Sequence, residues 1–130
     1  MSAANTIWFQ ASAVAGGAAL GALARWGAGL WLNGSYGGFP LGTLTVNVIG
    51  GLLIGMSLEW FGRFPDELLR LLLVTGFLGG LTTFSAFSAE SLTLMQRSQY
   101  ALALGHAALH VLGALASAAA GLRLMQFWLD

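Results

Sequence analysis

Residues Gly79 to Phe87 read GGLTTFSAF, in the middle of a long apolar run. Glycine and threonine are weak helix formers, so a pair of each within Gly79–Thr83 predicts that a helix is interrupted here. Inside a membrane such an interruption marks an ion or substrate site. Freed carbonyls can coordinate a cation, and the N-terminus of the following helix favours an anion. Unwound backbone is tolerated there only where protein buries it or a cavity hydrates it. The alternative is a plain kink absorbed by hydroxyls and close packing. Beyond the break, Phe84, Phe87, Ser88 and Ser91 fall on one helical face. A phenyl ring has a negative face and a positive edge, so ring edges can meet an anion without bringing a full charge. Plain packing is the other use of two phenylalanines at this spacing.

The rest of the chain sets this stretch in lipid. Of 130 residues, 57% are hydrophobic and 8% charged, with five tryptophans. Soluble domains carry about a quarter charged residues. There is no lysine, no basic run and no net charge, so nucleic-acid binding has no electrostatic footprint. Cysteine is absent, which excludes disulfides and thiol-ligated metals. The first charge is Arg25, too late for the basic start of a signal peptide, so the first apolar segment is expected to stay as a span.

Four apolar segments, about 7–32, 41–61, 68–94 and 100–128, each reach the roughly 20 residues that cross a bilayer as a helix. The third carries the break near 79–83. The reading is an all-α membrane protein with one transmembrane domain over 1–130. Trp8, Trp31, Tyr36, Trp60, Tyr100 and Trp128 fall near segment ends as an interfacial belt. Arg63, Arg70 and Arg123 lie toward one side, with Arg97 and Arg25 toward the other. This bias sets no firm orientation, so single and dual topology both stay open. Gly17/Gly21, Gly51/Gly55, Gly76/Gly80 and Gly113/Ser117/Gly121 are spaced by four, which lets helix backbones approach closely. Some of these stripes serve packing within the chain; their number favours a homodimer as well.

Polar groups at membrane depth need a reason. Arg25 either snorkels to the interface or faces a hydrated vestibule where it attracts an anion. Thr43 and Asn47 share a face of the second span, and the Asn47 amide either bonds a neighbouring helix or donates to a permeating anion. His106, His110 and Ser117 share a face of the fourth span. Two histidines four apart could hold a metal, but further ligands are few, and a hydrated polar face or interhelical bonding is favoured. Glu59 and Glu90 are expected near the interfaces.

These residues resemble the Fluc (CrcB) family of bacterial fluoride channels over essentially the whole chain. The resemblance rests on GGAALGALARW (Gly16–Trp26), GTLTVNVIGG (Gly42–Gly51) and GFLGGLTTFSAFSAE (Gly76–Glu90). The last is the most specific; the family reads close to GGxTTFSTF, and Ala86 stands where threonine is usual. The resemblance implies an antiparallel, dual-topology homodimer of four-helix subunits in the bacterial inner membrane. It implies two fluoride pathways per dimer, passive fluoride export that confers resistance, and a central structural sodium ion. The sodium would be held by backbone carbonyls of Gly79 and Thr82. Phe84, Phe87, Asn47, Thr43, Thr83 and Ser88 would line the fluoride pathway, and Arg25 its vestibule. Tyr100, His106, His110 and Ser117 are candidates for a polar track. Fluoride, sodium, lipid and a second copy are the partners implied; no organic cofactor is.

Fluoride is small and strongly hydrated, so a selective path must replace its water yet release it. One rival is a small proton-coupled multidrug-type transporter, which needs a membrane-embedded carboxylate; the first span has Arg25 and no acid. Another is a non-transporting membrane assembly subunit held by the glycine stripes. No nucleophile–base pair points to an enzyme.

Overall fold

The computed structural model describes residues 3–34 and 39–130, with side chains from residue 6 onward; Tyr36 of the expected belt lies outside them. All the regular structure among the described residues is helical, and four stretches are long and apolar enough to cross a membrane: Thr6–Leu32, Leu41–Arg63, Glu67–Gln96 and Tyr100–Leu129. We label the helices α1 (Ala3–Leu32), α2 (Leu41–Arg63), α3 (residues 67–81), α4 (Phe84–Gln96) and α5 (Tyr100–Leu129). The third crossing is thus two helices end to end. α3 begins at Glu67, capped by the Asp66 side chain, which accepts from the Leu69 N–H at 2.9 Å. Its residues Leu71–Leu78 wind in the wider π-helical geometry, a form that gathers at functional sites.

The break is narrower than the glycine pair predicts. Gly79–Leu81 remain helical, and only Thr82 and Thr83 are extended. The Leu78 carbonyl accepts both the Thr82 N–H at 3.0 Å and the Thr82 hydroxyl at 2.8 Å, which closes the last turn of α3. Thr83 then caps α4, its Oγ1 accepting from the Ala86 N–H at 3.1 Å.

Two helix pairs build the bundle: α1 packs along α3, and α2 along α5. The glycine stripes form both seams. A Cβ at Gly21 would strike the Phe77 carbonyl oxygen, and one at Gly55 would strike that of Ala118. Gly17, Gly76 and Gly80 continue the first seam, Gly51 and Gly121 the second. The stripes are therefore engaged inside the chain, and their number carries no weight for a second copy. The buried apolar core is small, formed by Val46, Leu78 and Leu81. Large apolar side chains such as Trp8, Leu20, Trp26 and Leu112 point outward, as a lipid-facing surface requires.

Candidate functional site

At the break, backbone donors turn away from their helical acceptors. The Thr83 N–H, which a continuous helix would direct at the Gly79 carbonyl, donates to Asn47 Oδ1 at 2.8 Å. The Ala86 N–H, which would serve the Thr82 carbonyl, goes to Thr83 Oγ1. Asn47 on α2 completes the repair by donating Nδ2 to the Thr83 carbonyl at 3.0 Å. One amide therefore satisfies both backbone groups of an extended residue at membrane depth, as an apolar surrounding demands. From the other side of the bundle, Arg25 Nε donates to the Gly80 carbonyl at 3.0 Å.

The second hydrogen of the Asn47 amide points to α5, where Nδ2 meets His110 Nδ1 at 3.1 Å. His110 is 5% exposed, and its Nε2 is buried with no partner among the described residues. Leaving such a group unsatisfied costs about 1–3 kcal/mol. His106, one turn earlier, is fully buried and fully bonded. Ser91 Oγ lies 2.9 Å from its Nδ1 and Glu90 Oε2 lies 3.2 Å from its Nε2.

Glu90 is the member of this cluster that sequence reading did not place in it. It is half-buried and turned inward among the helices. Its Oε1 accepts from the hydroxyl of buried Thr43 at 2.5 Å. The local signal was available: Glu90 follows Phe87 by three residues and shares its face. Its partners lie on other helices, which no spacing rule reveals.

Rings surround these groups. Phe87 stacks on His106 at 5.4 Å and 14° and leans on His110 at 4.7 Å. Phe84 meets Phe87 at 5.3 Å but is itself 78% exposed. One cavity runs along the break, lined by Asn47, Gly79, Thr82, Phe84, Phe87 and His110 among others. A second, on the far side of Thr83, is lined by Arg25, Thr43, Ala86 and Glu90. Thr83 borders both.

Of the candidate residues, Asn47, Thr43, Thr83, Phe87, His106 and His110 come together here. Ser88, Tyr100 and Ser117 line neither cavity. The Ser88 hydroxyl donates to the Phe84 carbonyl at 2.8 Å, and Tyr100 is exposed at the start of α5. Ser117 donates to the Val48 carbonyl at 2.8 Å and ties α5 to α2.

A membrane helix interrupted at mid-depth, its ends tied to neighbouring helices by amide and guanidinium groups and flanked by two cavities, defines the class of an integral membrane protein with an ion- or solute-handling site. The family model for CrcB-like protein, Camphor Resistance (CrcB), matches residues 12–122, and the chain belongs to that family. It is 58% identical over 112 residues to a protein of Bordetella petrii, covering 85% of this chain and 86% of that one. It is 52% identical over 118 residues to a protein of Aromatoleum aromaticum, covering 89% and 90%. Both relatives bear the name fluoride-specific ion channel FluC, that of a channel and not of an enzyme.

Proposed function

We propose that this chain is a passive fluoride-selective channel that lets cytoplasmic fluoride leave the cell. The observation that carries the reading is the break at Thr82–Thr83, bordered by phenyl rings and by a buried histidine with an unpartnered Nε2, in a chain so close to proteins of that name. The start of α4 offers the positive end of a helix dipole to an anion. Phe84 and Phe87 offer ring edges. Thr43, Asn47, Thr83 and the histidines supply the polar wall, with Ser88, Tyr100 and Ser117 as outlying members of the track. Arg25 draws the anion into the vestibule that it shares with Glu90.

The working unit is an antiparallel, dual-topology homodimer with two pathways, in the bacterial inner membrane. Backbone exposure supports a second copy better than the glycine stripes do. Gly79 is exposed, and its carbonyl has lost its helical donor. Lipid cannot satisfy such a group, whereas a partner subunit and a cation between the two copies can. The Gly79 and Thr82 carbonyls have had their helical donors redirected, and such oxygen donors suit a hard cation such as sodium. When bound, the ion would supply fixed positive charge at the centre of the assembly.

Glu90 favours one competing reading, since a half-buried membrane carboxylate is what a proton-coupled exporter needs. Its engagement by Thr43 and His106 suits a fixed wall rather than a mobile proton carrier. Liposomes loaded with potassium fluoride, made permeable to potassium and read with a fluoride electrode, decide between them. A channel releases fluoride down its gradient without a pH gradient and leaves chloride inside. Flux that requires a proton gradient, or equal release of chloride, would sink the reading.

A further inference from the structure

The two buried histidines differ in what their Nδ1 atoms meet. His106 Nδ1 faces the Ser91 hydroxyl, which can give or accept a hydrogen. His110 Nδ1 faces Asn47 Nδ2, which can only give one. The Asn47 amide cannot turn over to change this. Its Oδ1 is held by the Thr83 N–H and its Nδ2 by the Thr83 carbonyl. A flipped amide would set N–H against N–H and oxygen against oxygen. His110 Nδ1 must therefore accept, and the neutral ring carries its hydrogen on Nε2. The same contact disfavours the imidazolium, whose Nδ1–H would face the amide N–H.

We propose that Asn47 is a positioning residue that locks the His110 hydrogen onto Nε2, so that His110, rather than Asn47 itself, donates to the dehydrated fluoride ion. The inference rests on the fluoride-channel reading. It accounts for the unpartnered buried Nε2 beside a cavity that Asn47 and His110 both line. It also decides between ligand classes. One nitrogen of each histidine and a Glu90 oxygen lie within 4.8 Å of one another, an arrangement that residue type alone would assign to a divalent metal. A ligating nitrogen must be bare, and the lock places a hydrogen on the one nitrogen of His110 left open. An anion therefore fits where a metal does not.

The test uses the full chain labelled with 15N-histidine in lipid bilayers. Solid-state NMR should find His110 with its hydrogen on Nε2, and sodium fluoride should shift that resonance. A hydrogen on Nδ1, or stoichiometric Zn2+ binding that His110→Gln abolishes, would overturn the lock. A double-mutant cycle then separates positioning from direct contact. Asn47→Asp keeps an acceptor for the Thr83 N–H but cannot donate to His110. It should lower fluoride efflux about tenfold to a hundredfold, the scale of one hydrogen bond to a charged group. In a His110→Gln background, whose side-chain amide donates without help, the same change should cost far less. Equal losses in both backgrounds would overturn the idea that Asn47 acts through His110. The tautomer measurement needs no variant, so a poorly folding Asn47→Asp protein leaves the proposal open to refutation. Absent fluoride efflux from a wild-type protein with the Nε2 hydrogen would overturn the fluoride reading and spare the lock.

Discussion

Helices α2 and α5 are joined by two polar networks that differ in nearly every respect. At membrane depth, Asn47, His110, Thr83, Glu90, His106 and Thr43 make one buried or half-buried set of hydrogen bonds. At the far end, Arg63 binds Glu59 at 2.6 Å and Asp130 at 2.7 Å, while Gln126 Nε2 donates to Glu59 at 3.1 Å. This second set is ionic and open to water. The inner set is the more buried, so a lost partner is harder to replace and each of its members constrains the next. The outer set can exchange any bond for water. The contrast teaches that the count of polar contacts between two helices says little, and that the surrounding dielectric decides what each is worth.

The sharpest way to break this comparison is Asn47→Leu. It strips the partners from the Thr83 N–H and carbonyl and should cost about 2–6 kcal/mol, the sum of two unsatisfied groups. Titration with SDS in mixed micelles measures it, and fluoride efflux should fall below detection. A midpoint like that of the wild type would mean that the break holds its own shape. Next comes Glu90→Leu, which leaves the His106 N–H without an acceptor and should cost about 1–3 kcal/mol, because the Thr43 hydroxyl can turn back to a carbonyl of its own helix. Glu90→Gln should cost clearly less, because His106 can move its hydrogen to Nδ1 and donate to Ser91. Equal losses for the two variants would show that His106 is locked as firmly as His110. Smaller again is Ser117→Ala, which removes one interhelical bond to the Val48 carbonyl and should cost about 0.6 kcal/mol, the usual scale for such bonds in membranes.

The two networks also differ in how far the sequence reveals them. Four apolar helices are legible because a bilayer demands long apolar runs, and the proline and glycine loops mark their ends. The break is legible from GGLTT, but its position shifts because the Leu78 carbonyl binds Thr82 twice and keeps Gly79–Leu81 helical. The glycine spacing predicts close seams without naming the partner across each one. Asn47 announces itself as a lone amide in an apolar helix, yet that it bonds Thr83 rather than facing open space is decided by a residue 36 positions away. Glu90 is hidden for the same reason. Thr43 and His106, which turn it inward, are 47 and 16 residues distant.

Arg63→Ala supplies the smallest effect and the most exposing control. Its guanidinium gathers two carboxylates in the structure, so by contact geometry alone it rivals Asn47. Water and salt screen charges at this exposed end, and two long side chains lose rotamer freedom to meet there. The substitution should leave the SDS midpoint within error of the wild type at 0.15 M salt, with a difference emerging only at low ionic strength. Fluoride efflux should be unchanged, because Arg63 lines neither cavity. A salt-independent loss comparable to that of Asn47→Leu would reverse the ranking of the two networks. Charge pairing at the chain's end, rather than the matched hydrogen bonds at the break, would then hold α2 against α5.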